Sequence, residues 1–254
     1  MRINKFISHN TNYSRREADE LIKAGKVSIN GRAVSDLSTD IKDGDKVKIG
    51  SRLVKLKKEF SVILYNKPKG ELVTKRDDRG RRTIYDSLPR GFSKFISIGR
   101  LDFASEGLLL LTDAPAIAQA LMDSDIEREY YLKIKGNITE QVINAMREGF
   151  FAKDATKGAH AKTKQISMEF KPFLAYRIIS QSGGYKRLKV IINEGQNREL
   201  RRFFGYFDLE VMDLKRVSFG RVSLDQLGEG KWRYFTNSEY NDLRDFLKQN
   251  GVRY

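Results

Sequence analysis

One acid stands out by its neighbours. In "GRLDFASEGLLLLT" (Gly99–Thr112), Asp102 follows Arg100 by two positions and precedes a run of four leucines, Leu108–Leu111. A run so apolar is buried, and a carboxylate just ahead of it has two readings. It is half of a salt-bridged turn leading into a core strand, or it is a catalytic carboxylate held on the rim of a rigid sheet. Hydrolysis in the manner of a glycosidase would want two opposed carboxyls, and this motif offers one. The second candidate element is a basic helix at 197–207. Leu200, Phe203, Phe204 and Phe207 fall at i, i+3, i+4 and i+7, a core-facing stripe. At about 100° per residue, Arg198 and Arg202 point away from that stripe. Arg201 sits on its flank, within reach of a carboxylate at the edge of the core.

Composition narrows the chemistry. The chain has 254 residues, no cysteine and two histidines, His9 and His160. Thiolate zinc sites, disulfides and a cysteine nucleophile are excluded, and two distant histidines do not make a metal site. The net charge of +15, from 48 basic and 33 acidic residues, favours a polyanionic partner, because neutralising phosphates releases counterions. An anionic membrane is the competing surface, but no helix shows the basic and aromatic amphipathic pattern that it calls for. The longest apolar runs are far too short to cross a bilayer. The N-terminus shows no apolar segment behind a basic leader, so the expected address is the cytoplasm.

The elements that must position these residues fall into two groups. Residues 1–57 read as a small α/β module. Ser14-Arg15-Arg16-Glu17 is a capping box, Ala18, Leu21 and Ile22 supply an apolar stripe, and Gly25 ends the helix. Lys26–Ile29 alternates like a strand, Asn30-Gly31 signals a hairpin turn, and Lys46–Ile49 is a further strand. Lys55, Lys57 and Lys58 form a charged linker. Residues 61–254 alternate strands with loops and helices. Strands are expected at 61–65, 95–98, 108–111, 130–134, 176–180 and 187–192, and helices near 114–122, 139–148, 197–207 and 238–249. Hairpin signals such as Ser182-Gly183-Gly184 point to a mostly antiparallel sheet flanked by helices, hence an α+β fold. Two basic connections, 75–91 and 152–164, are long enough to be functional and are expected to touch RNA.

Two resemblances add to this reading. "SRREADELIKAGKVSINGR" resembles the RNA-binding module named after ribosomal protein S4. That resemblance implies a basic helix, here carrying Arg15, Arg16 and Lys23, set against the phosphate backbone of structured RNA. "YNKPKG" (65–70), "GRLDFASEGLLLLT", "EREYYLKIKG" (127–136) and "EGQNRELRRFF" (194–204) occur in order and resemble the pseudouridine synthases of the RsuA/RluB type. The resemblance implies that Asp102 is the catalytic aspartate, that Tyr130 stacks on the target base and that Arg201 pairs with the aspartate. It places Arg100 beside the reacting acid and Leu200 in the pocket wall, and Arg198 and Lys67 are expected to contact substrate. Gln196 stands where a basic residue is more usual, at the expense of one phosphate contact.

The implied reaction breaks the bond between ribose C1′ and uracil N1, turns the base and rejoins it through C5. One ionised carboxylate suffices, either as nucleophile at C1′ or as the base that takes the 2′ proton, with no metal or cofactor. A uridine out of its stack meets that acid, and an aromatic ring replaces the lost neighbours. The expected partner is ribosomal RNA, 23S by the likeness of "SEGLLLLT" and "EREYYLKIKG", acted on by a monomer. The alternatives are a silent RNA-binding assembly factor and a synthase of 16S or transfer RNA.

Overall fold

The computed structural model describes residues 1–11, 13–55 and 59–252, so Lys57 and Lys58 of the expected linker lie outside the described residues. The N-terminal part comprises helices α1 (Ile3–Asn10) and α2 (Arg15–Lys23) and strands β1 (Val27–Ile29), β2 (Arg32–Val34), β3 (Val47–Ile49) and β4 (Arg52–Leu53). The strands pair in the order β2-β1-β3-β4. The capping box forms as expected: Ser14 accepts from the Glu17 amide, and the Glu17 carboxylate accepts from the Ser14 amide. Asn30 and Gly31 both take positive φ (51° and 86°), the turn that a two-residue hairpin requires. Ile3, Ile7, Ala18, Ile22, Val27 and Val47 close a core of their own. Helix α1 was not expected, because no side chain caps it at Arg2.

The larger part runs β5 (Val62–Lys67), α3 (Ile84–Ser87), β6 (Ile96–Ile98), β7 (Glu106–Thr112), α4 (Pro115–Met122), β8 (Arg128–Lys135), α5 (Glu140–Glu148), β9 (Phe150–Ala152), β10 (Met168–Phe170), β11 (Ala175–Ser182), β12 (Tyr185–Ile192), α6 (Glu199–Tyr206), β13 (Glu210–Phe219), β14 (Val222–Ser223), β15 (Trp232–Tyr234) and α7 (Asn237–Gln249). All four expected helices and all six expected strands form. The main sheet has the order β11-β12-β8-β13-β7-β5-β15, with β14 on β13 and β6 on β7. All its pairings are antiparallel except β13 with β7.

The leucine run is β7, and it is buried because it serves two cores. Leu108 and Leu110 pack with Ile117, Leu121, Leu243 and Leu247 on one face. Leu109 and Leu111 pack with Ile84, Leu88, Phe92 and Leu101 on the other. Each leucine contributes roughly 1.5–3 kcal/mol by burial, so this strand is a fixed support. A third core, from β8, β12, α5 and α6, covers the other half of the sheet. The halves meet where β7 and β13 run parallel for two residue pairs only, Glu106 with Lys215 and Gly107 with Arg216. Gly107 has φ +105°, and a Cβ there would lie 2.1 Å from the Arg216 carbonyl oxygen. Only glycine admits that approach.

Candidate active site

Asp102 sits in the connection from β6 to β7, one residue after the buried Leu101. Every main-chain carbonyl from Asp102 to Ser105 has a donor. The Asp102 carbonyl accepts from the Ser105 amide (3.0 Å) and Lys67 Nζ (3.2 Å), and that of Phe103 from the Gly70 amide (2.7 Å). The Ala104 carbonyl accepts from Arg201 Nη2 (3.3 Å) and the Ser105 carbonyl from Lys67 Nζ (2.8 Å). Moving this loop breaks several bonds at once, so the carboxylate is held in place.

The expectation that Lys67 contacts substrate is corrected by its burial. Its side chain is fully enclosed, and its three N–H groups go to the carbonyls of Pro68, Asp102 and Ser105. Burial pushes its ammonium down to about 8, against the pull of Glu71, Asp102 and Glu106. Lys67 braces the Asp102 loop from beneath and has no surface to offer RNA.

The arginines of α6 also depart from simple helix phasing. Arg198 is the residue that caps α6, in the left-handed region (φ 52°, ψ 30°), so its side chain does not follow the helical period. Its Nη1 donates to Asp102 Oδ2 at 3.0 Å, and its Nε to the Gly158 carbonyl at 2.7 Å. Arg201 lies where the flank position implies, with Nε 3.8 Å from the same Oδ2. Its Nη1 donates to the Val211 carbonyl (2.7 Å) and its Nη2 to Ser105 Oγ (3.2 Å). Arg202 does not point to solvent. It is fully buried, donating to the carbonyls of Ala155 (2.7 Å) and Gln165 (2.8 Å).

The segment bonded by Arg202 belongs to the basic connection 152–164 and its continuation. Here that connection lies on α6 so closely that a Cβ at Gly158 would stand 2.1 Å from the Arg201 carbonyl oxygen. The other basic connection, 75–91, contains α3, closed by a capping box between Thr83 and Asp86. Its end is tied to the buried Glu71, which accepts from Ser87 Oγ and from Tyr65 Oη. Gln196 is likewise engaged, its amide donating to the Glu169 carbonyl and the Glu194 carboxylate, both at 2.9 Å.

Asp102 opens onto a cleft of about 470 Å³ whose wall includes Arg100, Tyr130, Arg198, Leu200 and Arg201. Six residues singled out in sequence thus share one cavity. Arg15, Arg16 and Lys23 are exposed on α2 and do not line this cleft. The cleft also holds residues that sequence reasoning missed. Arg128 and Arg216 are buried, and both guanidiniums lie over the Phe219 ring, at 4.9 and 5.8 Å from its centre. Arg216 Nε donates to the Leu108 carbonyl across the parallel seam (2.7 Å). Glu199 accepts from the Gln196 amide (2.9 Å), and burial pushes its carboxyl up to about 7. Arg216 lies in a strand that also carries Glu210, Asp213, Lys215 and Ser218, so its sequence context does not mark it as buried. Five arginines and five carboxyl-bearing side chains line the cleft, so its charges are mixed, with Arg198 and Arg201 gathered at Asp102.

Comparison with known proteins decides what kind of cleft this is. The family model described as RNA pseudouridylate synthase matches residues 61–206. The chain belongs to the RNA pseudouridylate synthase family. Residues 1–47 match the S4 domain, so an S4 domain stands at the N-terminus of this synthase. A Helicobacter pylori protein, named an uncharacterized RNA pseudouridine synthase, is 51% identical over 97% of this chain and 95% of its own length. Ribosomal large subunit pseudouridine synthase B of Bacillus subtilis is 32% identical over 96% of this chain and 95% of its own length. A crystal structure of a pseudouridylate synthase superposes with a TM-score of 0.64 at 28% identity, covering 96% of this chain and 99% of that one. The mostly antiparallel α+β fold with its N-terminal module is the fold of this family.

Proposed function

We propose that this synthase isomerises a uridine of ribosomal RNA, in the large-subunit 23S molecule, as a cytoplasmic monomer without a cofactor. Supporting the RNA target are the S4 domain and full-length likeness to proteins named large-subunit synthases. No helix among the described residues is long and apolar enough to cross a membrane. In this reading residues 1–57 dock structured RNA through Arg15, Arg16 and Lys23, and residues 61–254 perform the chemistry.

The observation that carries the reading is the carboxylate of Asp102, fixed by its backbone, flanked by two arginines and open to a cleft walled by Tyr130 and Leu200. Asp102 acts as nucleophile at C1′ or as base toward the 2′ proton. The C1′–N1 bond breaks, the base turns, and a C1′–C5 bond forms as the proton on C5 is lost and N1 gains one. No atom is added, so the reaction is an isomerisation. Arg201 sets a positive charge beside the Asp102 carboxylate, Tyr130 stacks on the extruded base, and Arg100 stands beside the reacting acid.

The test is Asp102→Asn. Chemical mapping of pseudouridine across ribosomal RNA from cells with the wild-type gene, with this variant and without the gene should show one 23S position lost in the last two. A variant that restores the position overturns the role of Asp102. A lost position in 16S or transfer RNA overturns the target, and no lost position overturns the activity.

A further inference from the structure

Two guanidiniums address one carboxylate oxygen in this site, and they are not equivalent. Arg201 is 9% exposed and fixed through bonds to Val211, Ala104 and Ser105. Its Nε is buried and has no hydrogen-bond partner among the described residues, although it faces Asp102 Oδ2 at 3.8 Å. Arg198 occupies that oxygen at 3.0 Å, yet its side chain is 23% exposed and the carboxylate itself 35%. Arg198 also holds a left-handed backbone that suits asparagine better than arginine. The fixed arginine has the longer contact and the exposed arginine has the shorter one. Two guanidiniums thus share the single carboxylate of Asp102, and Arg201 feels the repulsion of Arg198.

We propose that Arg198 is the exchangeable counter-ion of Asp102: on RNA binding it leaves Oδ2 for a phosphate of the target strand, and the Nε–H of Arg201 takes over that oxygen. This rests on the reading of Asp102 as the reacting acid. In the free enzyme Arg198 shields the carboxylate. The incoming phosphate offers the guanidinium a bidentate acceptor that a single carboxylate oxygen does not. Rotation of the Asp102 side chain by about 1 Å toward Arg201 brings Nε into hydrogen-bond range. The acid keeps an arginine beside it throughout, and its outer face is cleared for the ribose at the moment the ribose arrives. Arg198 is thus a positioning residue that couples phosphate binding to exposure of the acid. Arg201 is the counter-ion during the reaction.

The experiment compares wild type, Arg198→Asn, Arg198→Lys, Arg201→Met and Asp102→Asn on unmodified 23S and 16S transcripts. Asparagine is chosen because it tolerates the left-handed backbone. Binding is measured against salt. Arg198→Asn flattens the slope of log affinity against log salt by roughly 0.7–0.9, one phosphate contact, and Arg198→Lys restores most of it. Asp102→Asn, which frees Arg198 in advance, binds tighter than wild type, and that gain disappears when Arg198→Asn is added. In single-turnover reactions, the loss caused by Arg198→Asn shrinks as RNA saturates. Arg201→Met loses rate even at saturation. An unchanged salt slope in Arg198→Asn, or a loss of rate at saturating RNA as large as that of Arg201→Met, overturns the exchange. If wild type converts no uridine in either transcript, the target assignment fails, and the salt slopes on the same RNA still decide the role of Arg198.

Discussion

Substituting Gly107 by alanine tests whether the parallel seam sets the geometry of the site. The residue has φ +105°, where an L side chain is strained by roughly 1–3 kcal/mol. Its new Cβ would stand 2.1 Å from the Arg216 carbonyl oxygen and 2.8 Å from its nitrogen. These are backbone atoms in the sheet, so relief needs roughly 1 Å or more of strand separation to reach a normal contact. Separation also pulls the Arg216 guanidinium from the Leu108 carbonyl, a charge-assisted bond of about 1.5–3 kcal/mol. Gly107→Ala should therefore lose about 3–5 kcal/mol of stability in urea unfolding. Asp102 is carried by the β7 side and Arg201 by α6, which packs on the β13 side, so the same shift parts them. A displacement near 1 Å lowers the single-turnover rate about 100-fold. The control is Gly99→Ala, in the same connection, with φ +71° and open space around the added Cβ. It should cost only about 1–2 kcal/mol of backbone strain. Equal stabilities and equal rates for the two variants would refute the argument that the seam positions the acid.

Other perturbations separate support from chemistry. Arg202→Met leaves the carbonyls of Ala155 and Gln165 without their donor and should cost about 2–4 kcal/mol in thermal or urea unfolding, with a far smaller rate effect than Arg201→Met. Neutralising Arg15, Arg16 and Lys23 together should weaken binding to a long structured RNA and flatten its salt dependence, while a short stem-loop that only fills the cleft is little affected. His9 is held neutral by burial and by Lys5 and Arg15, its pKa lowered from 6.5 to about 4. The unfolded chain binds more protons between those values, so this contribution is complete above pH 6.5 and is lost as pH falls toward 4. Its size is on the order of 1–3 kcal/mol, and urea midpoints from pH 7 to 4 should fall more steeply for wild type than for His9→Asn.

Much of the fold was legible because local signals agree with tertiary placement. The Ser14 capping box, the Asn30-Gly31 turn, the leucine run and the stripe of α6 each form as their residues imply. Strand β13, the longest in the sheet, gave no such signal. Its pairing with β8 shifts register between Val211 and Asp213 and again between Arg216 and Ser218, so its buried residues do not alternate with a period of two. In the cleft, Asp102, Tyr130, Leu200 and Arg201 were found from spacing and family likeness, and they converge. Arg198 and Arg202 were misjudged for separate reasons. The first lies outside the helical phase by virtue of its left-handed backbone. The second is covered by a segment some forty residues earlier in the chain, about which the amphipathic pattern of α6 carries no information. Lys67 was misjudged because a basic residue reads as surface, and only the three converging carbonyls show why it is buried.

The parallel pairing of β7 with β13 also fixes when the site comes into being. Arg216 reaches Leu108 across 108 positions of chain, and Arg198 reaches Asp102 across 96. A chain emerging from its N-terminus exposes the S4 domain first, then the acid, then Arg198 at the start of α6, and Arg216 last. Until α6 is made the carboxylate has no counter-ion, and until β13 docks β7 lacks its neighbour across the seam and the cleft lacks part of its wall. Contacts of this span close slowly because of their loop entropy. A nascent or truncated chain can thus engage RNA through its first domain while lacking any means to modify it, so that competence for the reaction certifies completion of the fold.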